Sequence, residues 1–230
     1  MKVSIETAKL IYPVSDGKPM AETGIHVQAI VLLHQALEDF FHPRTDVFIA
    51  SDMFWYWKEG RTKTTAPDVM VVPGVGNHDR RSFFTWEENG AVPAVVFEMA
   101  SQGTWRNDLD GKRKLYERRG VKEYFIFDPE ELYLRPQLLG FRLFGKRYRT
   151  LFAVNDSLGS ELGFDMRPER KMLRLVNRQS NVPIPTRSER ADAALVNAHT
   201  EKRRADGLQL EIDRLKSLLA QAGTPNGNGT

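Results

Sequence analysis

Asp68 follows Pro67 and precedes an apolar run (VMVV), and Glu98 lies inside a second apolar run (AVVFEMA). Burying an ionised carboxylate in a strand costs on the order of several kcal/mol unless the group is paired or binds a metal. Two such acids, each on a strand-like run and then followed by a basic helix, describe a site built to hold a hard cation. Phosphodiester hydrolysis needs an attacking water, neutralised charge at the scissile phosphate and a stabilised leaving oxygen, and divalent ions can supply all three. Mg²⁺ takes oxygen ligands, typically one or two carboxylates, and keeps several waters. Asp68 and Glu98 are ligands of that type. Lys112 and Lys114, on the helix that follows, are placed to orient the water or offset developing charge. This is the layout of a metal-dependent phosphodiesterase.

The elements that must position these residues are legible from periodicity. From Glu22 to about Phe41, apolar residues including Ile25, Ala29, Leu33 and Leu37 recur at helical spacing, with Thr23 as a cap and Pro43 as the stop. Residues 1–21 read as an irregular lead-in. Asp46–Trp57 is rich in aromatic and β-branched residues and predicts a strand, bent near Ser51 and Asp52. Pro67–Val72 predicts a second strand, and residues 73–93 a long loop with one helical turn around Thr85–Asn89. Ala94–Ala100, apolar on both faces, predicts a central third strand. Asn107 or Asp108 then opens a basic helix (DLDGKRKLYERRG) that Gly120 closes, and Glu123–Phe127 is a fourth strand. So short a strand–helix–strand step implies parallel pairing of its two strands. Leu138–Phe144, Arg147–Phe152 and Met172–Val176 read as an antiparallel extension.

The remainder of the chain has a different composition. Pro183 and Pro185 mark a linker, and residues 188–222 are rich in Ala, Leu, Arg, Glu and Lys. Leu208, Ile212, Leu215 and Leu219 fall at steps of four, three and four, a coiled-coil seam whose upstream register Gly207 interrupts. An isolated helix this short is marginal, so it calls for a partner surface. The domain reading is therefore a head over 1–180, a linker over 181–187, a coiled-coil helix over 188–222 and a disordered tail over 223–230.

Composition bounds what the chain can do. Its 230 residues carry a formal net charge of +3 and no cysteine, which removes disulfides, zinc–thiolate sites and cysteine nucleophiles. The mildly basic balance permits a nucleic-acid partner without arguing for one. No apolar run approaches the ~20 residues that cross a bilayer, and the N-terminus lacks a secretory pattern, so the expectation is a cytoplasmic protein with no membrane partner. The five histidines show no paired spacing, so zinc has no support. The GVG at 74–76 lacks the rest of a phosphate-binding loop, and no G-x-S-x-G is present. The Phe54–Trp57 cluster has two readings, base stacking and strand core with one wet face. Lys112, Arg113, Lys114, Arg118 and Arg119 likewise read either as phosphate contacts or as a solvated helix face. Asp128, before Pro129, suits a strand-ending turn better than a ligand.

The segments APDVMVV, VVFEMAS and DLDGKRKLYERRGVKEYFIFDP together resemble the PD-(D/E)XK nuclease superfamily, and within it the Uma-two family of restriction endonucleases, over roughly residues 10 to 180. The resemblance implies an α/β fold, a restriction-endonuclease-like mixed sheet flanked by helices, to which this chain adds a C-terminal coiled-coil helix. It also implies Mg²⁺ or Mn²⁺ dependence, DNA cleavage, Asp68 and Glu98 as metal ligands, and Glu22 as an accessory acid on the first helix. One departure stands out: the superfamily's lysine, two residues after the acid, is Ala100 here. In the resembling branch the basic role moves to the next helix, in a pattern that Asp108, Lys112 and Tyr116 match. At i, i+4 and i+8 these three share one helical face. Ser101 and Gln102 would line the site, although a polar turn after a strand explains them equally well.

The function expected is thus that of a Mg²⁺-dependent endodeoxyribonuclease, with Asp68, Glu98 and Lys112 catalytic and Glu22, Asp108, Tyr116, Ser101 and Gln102 accessory. A homodimer through residues 188–222 would present one site to each strand of a duplex. The rival reading is a catalytically inactive nuclease-fold DNA-binding or adaptor protein acting through its coiled coil, which Ala100 favours.

Overall fold

The computed structural model describes residues 12–13, 23–60 and 63–222, the last three as backbone only. The expectations for Glu22, for most of the lead-in and for the tail over 223–230 lie outside the described residues. Two units make up the chain, divided between Ile184 and Pro185.

In the first unit, α1 (Gly24–Phe41) starts where the Thr23 hydroxyl accepts a hydrogen bond from the His26 amide. Its apolar stripe buries Ala29, Leu33, Leu37 and Phe41. The sheet that α1 covers is built from β1 (Val47–Ser51), β4 (Val69–Pro73), β6 (Val95–Met99), β7 (Glu123–Phe127), β8 (Leu138–Phe144) and β9 (Arg147–Thr150). Their order is β1-β4-β6-β7-β8-β9. β6 and β7 pair parallel, as the short crossover requires, and the other neighbours pair antiparallel. Every residue of β6 and β7 is buried, the pattern of strands covered on both faces.

Alternation along β6 sorts the two faces. Val95, Phe97 and Met99 join the core beneath α1, while Val96 and Ala100 join a second core with Tyr116, Tyr124 and Trp55. Glu98 is sandwiched between Val96 and Ala100 in that alternation, so its carboxylate projects toward the second core.

Four local expectations need correction. The aromatic segment expected as one bent strand is split: Asp52 takes a left-handed φ of 46°, and β2 (Trp55–Tyr56) leaves to pair with β3 (Thr64–Thr65) and β5 (Phe83–Phe84). Both Trp55 and Tyr56 are fully buried, so neither is a wet face. The 73–93 segment is consequently not all loop, because β5 lies in it.

Met172–Val176 does not extend the large sheet. β12 (Met172–Asn177) belongs with β10 (Leu158–Gly159), β11 (Phe164–Glu169) and β13 (Val182–Pro183) in a separate antiparallel sheet. Leu173, Leu175, Phe164 and Met166 find their apolar neighbours under α1, whereas β9 (RYRT) has mostly exposed, polar residues and stands as the sheet edge.

The basic helix also opens earlier than Asn107. α2 (Trp105–Asn107) starts after a turn in which the Trp105 amide reaches the Ser101 carbonyl and the Ser101 and Thr104 hydroxyls meet at 3.0 Å. A π-helical segment, Asp108–Lys112, interrupts the helix before α3 (Arg113–Arg119) resumes it. Two carbonyls of that wide turn are taken by side chains: Tyr124 Oη donates to Asp108 O, and Arg113 Nε donates to Leu109 O. Gly120 ends α3 with φ of 80°.

The second unit contains α4 (Arg187–Ala222), opened by a capping box in which Thr186 Oγ1 accepts from the Glu189 amide and Glu189 Oε2 accepts from the Thr186 amide. The helix runs unbroken through Gly207, and every side chain described in it is exposed. Among the described residues, no helix is long and apolar enough to cross a membrane.

Because Gly120 closes the helix that carries Lys112 and Tyr116 in a left-handed conformation, Gly120→Ala is expected to destabilise the protein by about 1 kcal/mol. Urea unfolding should show a lower midpoint with an unchanged slope. An unchanged midpoint would contradict the requirement for glycine there.

Candidate active site

Strand pairing brings the two acids of the sequence analysis to the same place. Val69 lies opposite Phe97 in the antiparallel β4–β6 ladder, so Asp68, immediately before β4, comes beside the Glu98–Met99 end of β6. Both acids act on the Lys112 ammonium. Asp68 stays near the backbone: its Oδ2 accepts a 2.6 Å hydrogen bond from the Met99 amide. Glu98 is 1% exposed. Its Oε2 lies 2.8 Å from Lys112 Nζ, and its Oε1 accepts a 2.6 Å bond from Tyr116 Oη.

The helix across β6 therefore delivers two donors to one carboxylate. Lys112 closes the π-helical segment and Tyr116 lies one turn on, so both hang over the middle of β6. Asp108, at the start of that segment, is fully buried, with one oxygen 3.5 Å from Lys112 Nζ. Neither of its oxygens has a hydrogen-bond partner of good geometry. Asp68, Glu98, Asp108, Lys112 and Tyr116 are thus gathered at one site. Ser101 pairs with Thr104, and Gln102 is exposed in the turn after β6.

The electrostatics follow from three carboxylates around one ammonium. Burial works to depress the Lys112 pKa, but Glu98, Asp108 and Asp68 outweigh it, so the ammonium is held charged. Desolvation first, and then the Glu98 charge, raise Asp108 to about 6. Tyr116 is pushed well above the usual phenol range by burial and then by Glu98, so it stays a donor. Tyr124 is raised in the same way, by burial, Glu98 and Asp108.

Two residues that carried no sequence signal reach this cluster. His26, buried on α1, has Nε2 3.7 Å from Asp68 Oδ2. Thr65 places Oγ1 3.4 Å from Tyr116 Oη. His26 was discounted because it lacks a paired histidine in sequence; its proximity to Asp68 arises only from packing α1 against the sheet.

The basic residues of the helix divide in use. Lys112 is committed to the acids. Arg113 packs on the Phe141 ring, Lys114 pairs with Asp110, and Arg119 lies 4.6 Å from the Trp57 ring centroid. Arg118 is exposed. Asp128 is a turn anchor, its carboxylate accepting amides of Glu130, Tyr133 and Leu134.

The donor set fits a hard divalent cation in ligand type. Asp68, Glu98 and Asp108 are carboxylates that all act on the Lys112 ammonium, and burial, more than the Glu98 charge, raises Asp108. Among the described residues no three His, Cys, Asp or Glu side chains converge as a cage. Mg²⁺ does not need one, since one or two carboxylates plus water suffice. Each Glu98 oxygen keeps a lone pair beyond its Lys112 or Tyr116 bond.

The sequence model of the Uma2 family, described as "Putative restriction endonuclease", matches residues 5–167. No curated protein matches the chain. Among solved structures it is similar to a "putative nuclease belonging to DUF820 from Anabaena variabilis ATCC 29413". The two are 15% identical, with 62% of this chain and 74% of that chain covered and a TM-score of 0.46.

Asp108 supplies a stability test. A carboxyl raised above its unfolded value binds protons more tightly when folded, so stability falls as pH rises through about 6. Asp108→Asn mimics the protonated form. It is expected to stabilise the protein at pH 8 on the order of 2 kcal/mol, with the gain vanishing below about pH 4. Thermal melts of both proteins across that range measure it, and a pH-independent difference would contradict the assignment.

Proposed function

The chain belongs to the Uma2 family, a restriction-endonuclease family by its description, and on that premise we propose that it hydrolyses DNA phosphodiester bonds with Mg²⁺ or Mn²⁺. The observation that carries the reading is a buried Glu98 in β6, bonded to Lys112 and Tyr116, with Asp68 acting on the same ammonium. A purely structural role would keep Glu98 and Asp108 buried beside each other, which is costly.

Asp68 and Glu98 are the residues that would hold the ion. When bound, the ion supplies charge neutralisation at the phosphate and acidifies the attacking water. Lys112, kept protonated by the surrounding acids, faces the same space and would hold either that water or a phosphate oxygen. It thereby takes over the role of the lysine missing at Ala100. Tyr116 fixes the second Glu98 oxygen, which stops the carboxylate from rotating. Asp108 opposes Lys112 from the helix side, and its buried charge keeps the ammonium from drifting to solvent. Exposed Arg118, on the same helix, is available to the DNA backbone. A DNA substrate and a cysteine-free chain suit the cytoplasm.

Plasmid cleavage with Mg²⁺ or Mn²⁺ tests the proposal. Asp68→Asn, Glu98→Gln and Lys112→Met should each lower the rate by about 10²-fold or more, since each removes charge where the transition state needs it. Circular dichroism should show that the variants remain folded. Cleavage that survives in all three would refute the assignment. Calorimetric titration separates the inert-scaffold reading: Mn²⁺ binding that disappears in Asp68→Asn and Glu98→Gln supports a metal site, and the absence of any binding supports a scaffold.

A further inference from the structure

We propose that α4 pairs with α4 of a second copy of this chain as a parallel, in-register two-stranded coiled coil centred on Leu208–Leu219. Leu208, Ile212, Leu215 and Leu219 lie on one seam of a continuous helix and are between 45% and 73% exposed. Leu195, Val196, Leu210 and Leu218 are also exposed on α4, but only the four named residues keep heptad spacing, and such a seam needs a partner surface. Their heptad assignment places Ile212 and Leu219 at a and Leu208 and Leu215 at d. β-branched Ile at a with Leu at d is the combination that favours parallel dimers.

Charge selects the occupant and the direction. In the same register Glu211 is a g position and Lys216 the following e position. A parallel pair sets Glu211 of each helix against Lys216 of its partner, giving two interhelical ion pairs. The antiparallel register that stacks Ile212 on Leu215 places Glu211 against Leu218 and Lys216 against Gln209, and gains neither. Within its own helix Glu211 makes only a long 3.7 Å contact with Arg214, which leaves the carboxylate able to reach across.

Upstream, Ala191, Ala194, Ala198 and Ala205 occupy the same two columns. They let the helices stay close but bury little, and Glu201 interrupts their column, so register is set by the leucine-rich end. If the proposed cleavage holds, the pair carries two sites in one assembly. The pairing itself does not depend on cleavage.

The chain has no cysteine, so a single introduced thiol reports only on itself. Leu208→Cys and Leu215→Cys, each in the full chain, should form disulfide dimers on mild oxidation, while the outward-facing Ser217→Cys stays monomeric at the same concentration. An antiparallel pair would instead join Leu208→Cys to a size-tagged Leu219→Cys and leave each alone unlinked, which would overturn the proposal. A monomeric mass by light scattering of the native chain at high concentration would overturn the pairing altogether. Charge reversal is a second measurement that leaves the seam untouched. Glu211→Lys or Lys216→Glu should weaken the dimer about tenfold, and the double reversal should restore it. Indifference to the single reversals would contradict the parallel register.

Discussion

The rest of the site depends on one buried carboxylate, that of Glu98, in a strand whose every residue is buried. Glu123, on the adjacent β7, shows what a structural acid looks like at the same 1% exposure. Glu123 takes two bonds from Arg142, one from the Ser160 hydroxyl and others from the Glu161 amide, so its lone pairs are spent. Glu98 has only the Lys112 ammonium and the Tyr116 hydroxyl, and it shares that ammonium with Asp108. Glu123 is fully satisfied, whereas each Glu98 oxygen keeps a lone pair beyond its one bond. On the proposed reading a divalent cation would take those positions.

Keeping Lys112 and Tyr116 above Glu98 constrains the surrounding elements. The parallel β6–β7 step carries the helix back across the sheet, and the π-helical segment aligns Lys112 between Asp108 and Glu98. Wide turns of this kind weaken a helix and are common at functional sites. Here the loosened carbonyls are taken by Tyr124 and Arg113. Aromatic side chains enclose the cluster: Trp55 stacks on Tyr116 at 6.4 Å, and Tyr116 meets Tyr124 at 5.0 Å. Excluding water there strengthens every charge interaction in the site.

Much of this was legible because the signals are local. The Thr23 cap, the Gly120 stop and the apolar runs of β4, β6 and β7 each declare themselves within a few residues. Asp68 and Glu98 stand out as acids in apolar company, and Lys112 and Tyr116 share a face by simple spacing. What was hidden depends on packing between distant segments. His26 meets Asp68 only when α1 crosses the sheet, and Thr65 meets Tyr116 only through β3. The π-helical turn has no period that a 3.6-residue reading can detect. β12 has the pattern of a sheet extension, and only its neighbours under α1 assign it elsewhere.

The central claim is that Asp68 and Glu98 hold one divalent ion between them, and crystals grown with Mn²⁺ test it most directly. Anomalous difference density should show a single peak about 2.0–2.2 Å from an oxygen of each residue, with water completing the shell. Density without such a peak at saturating Mn²⁺, with both Glu98 oxygens still bound only to Lys112 and Tyr116, would contradict the account.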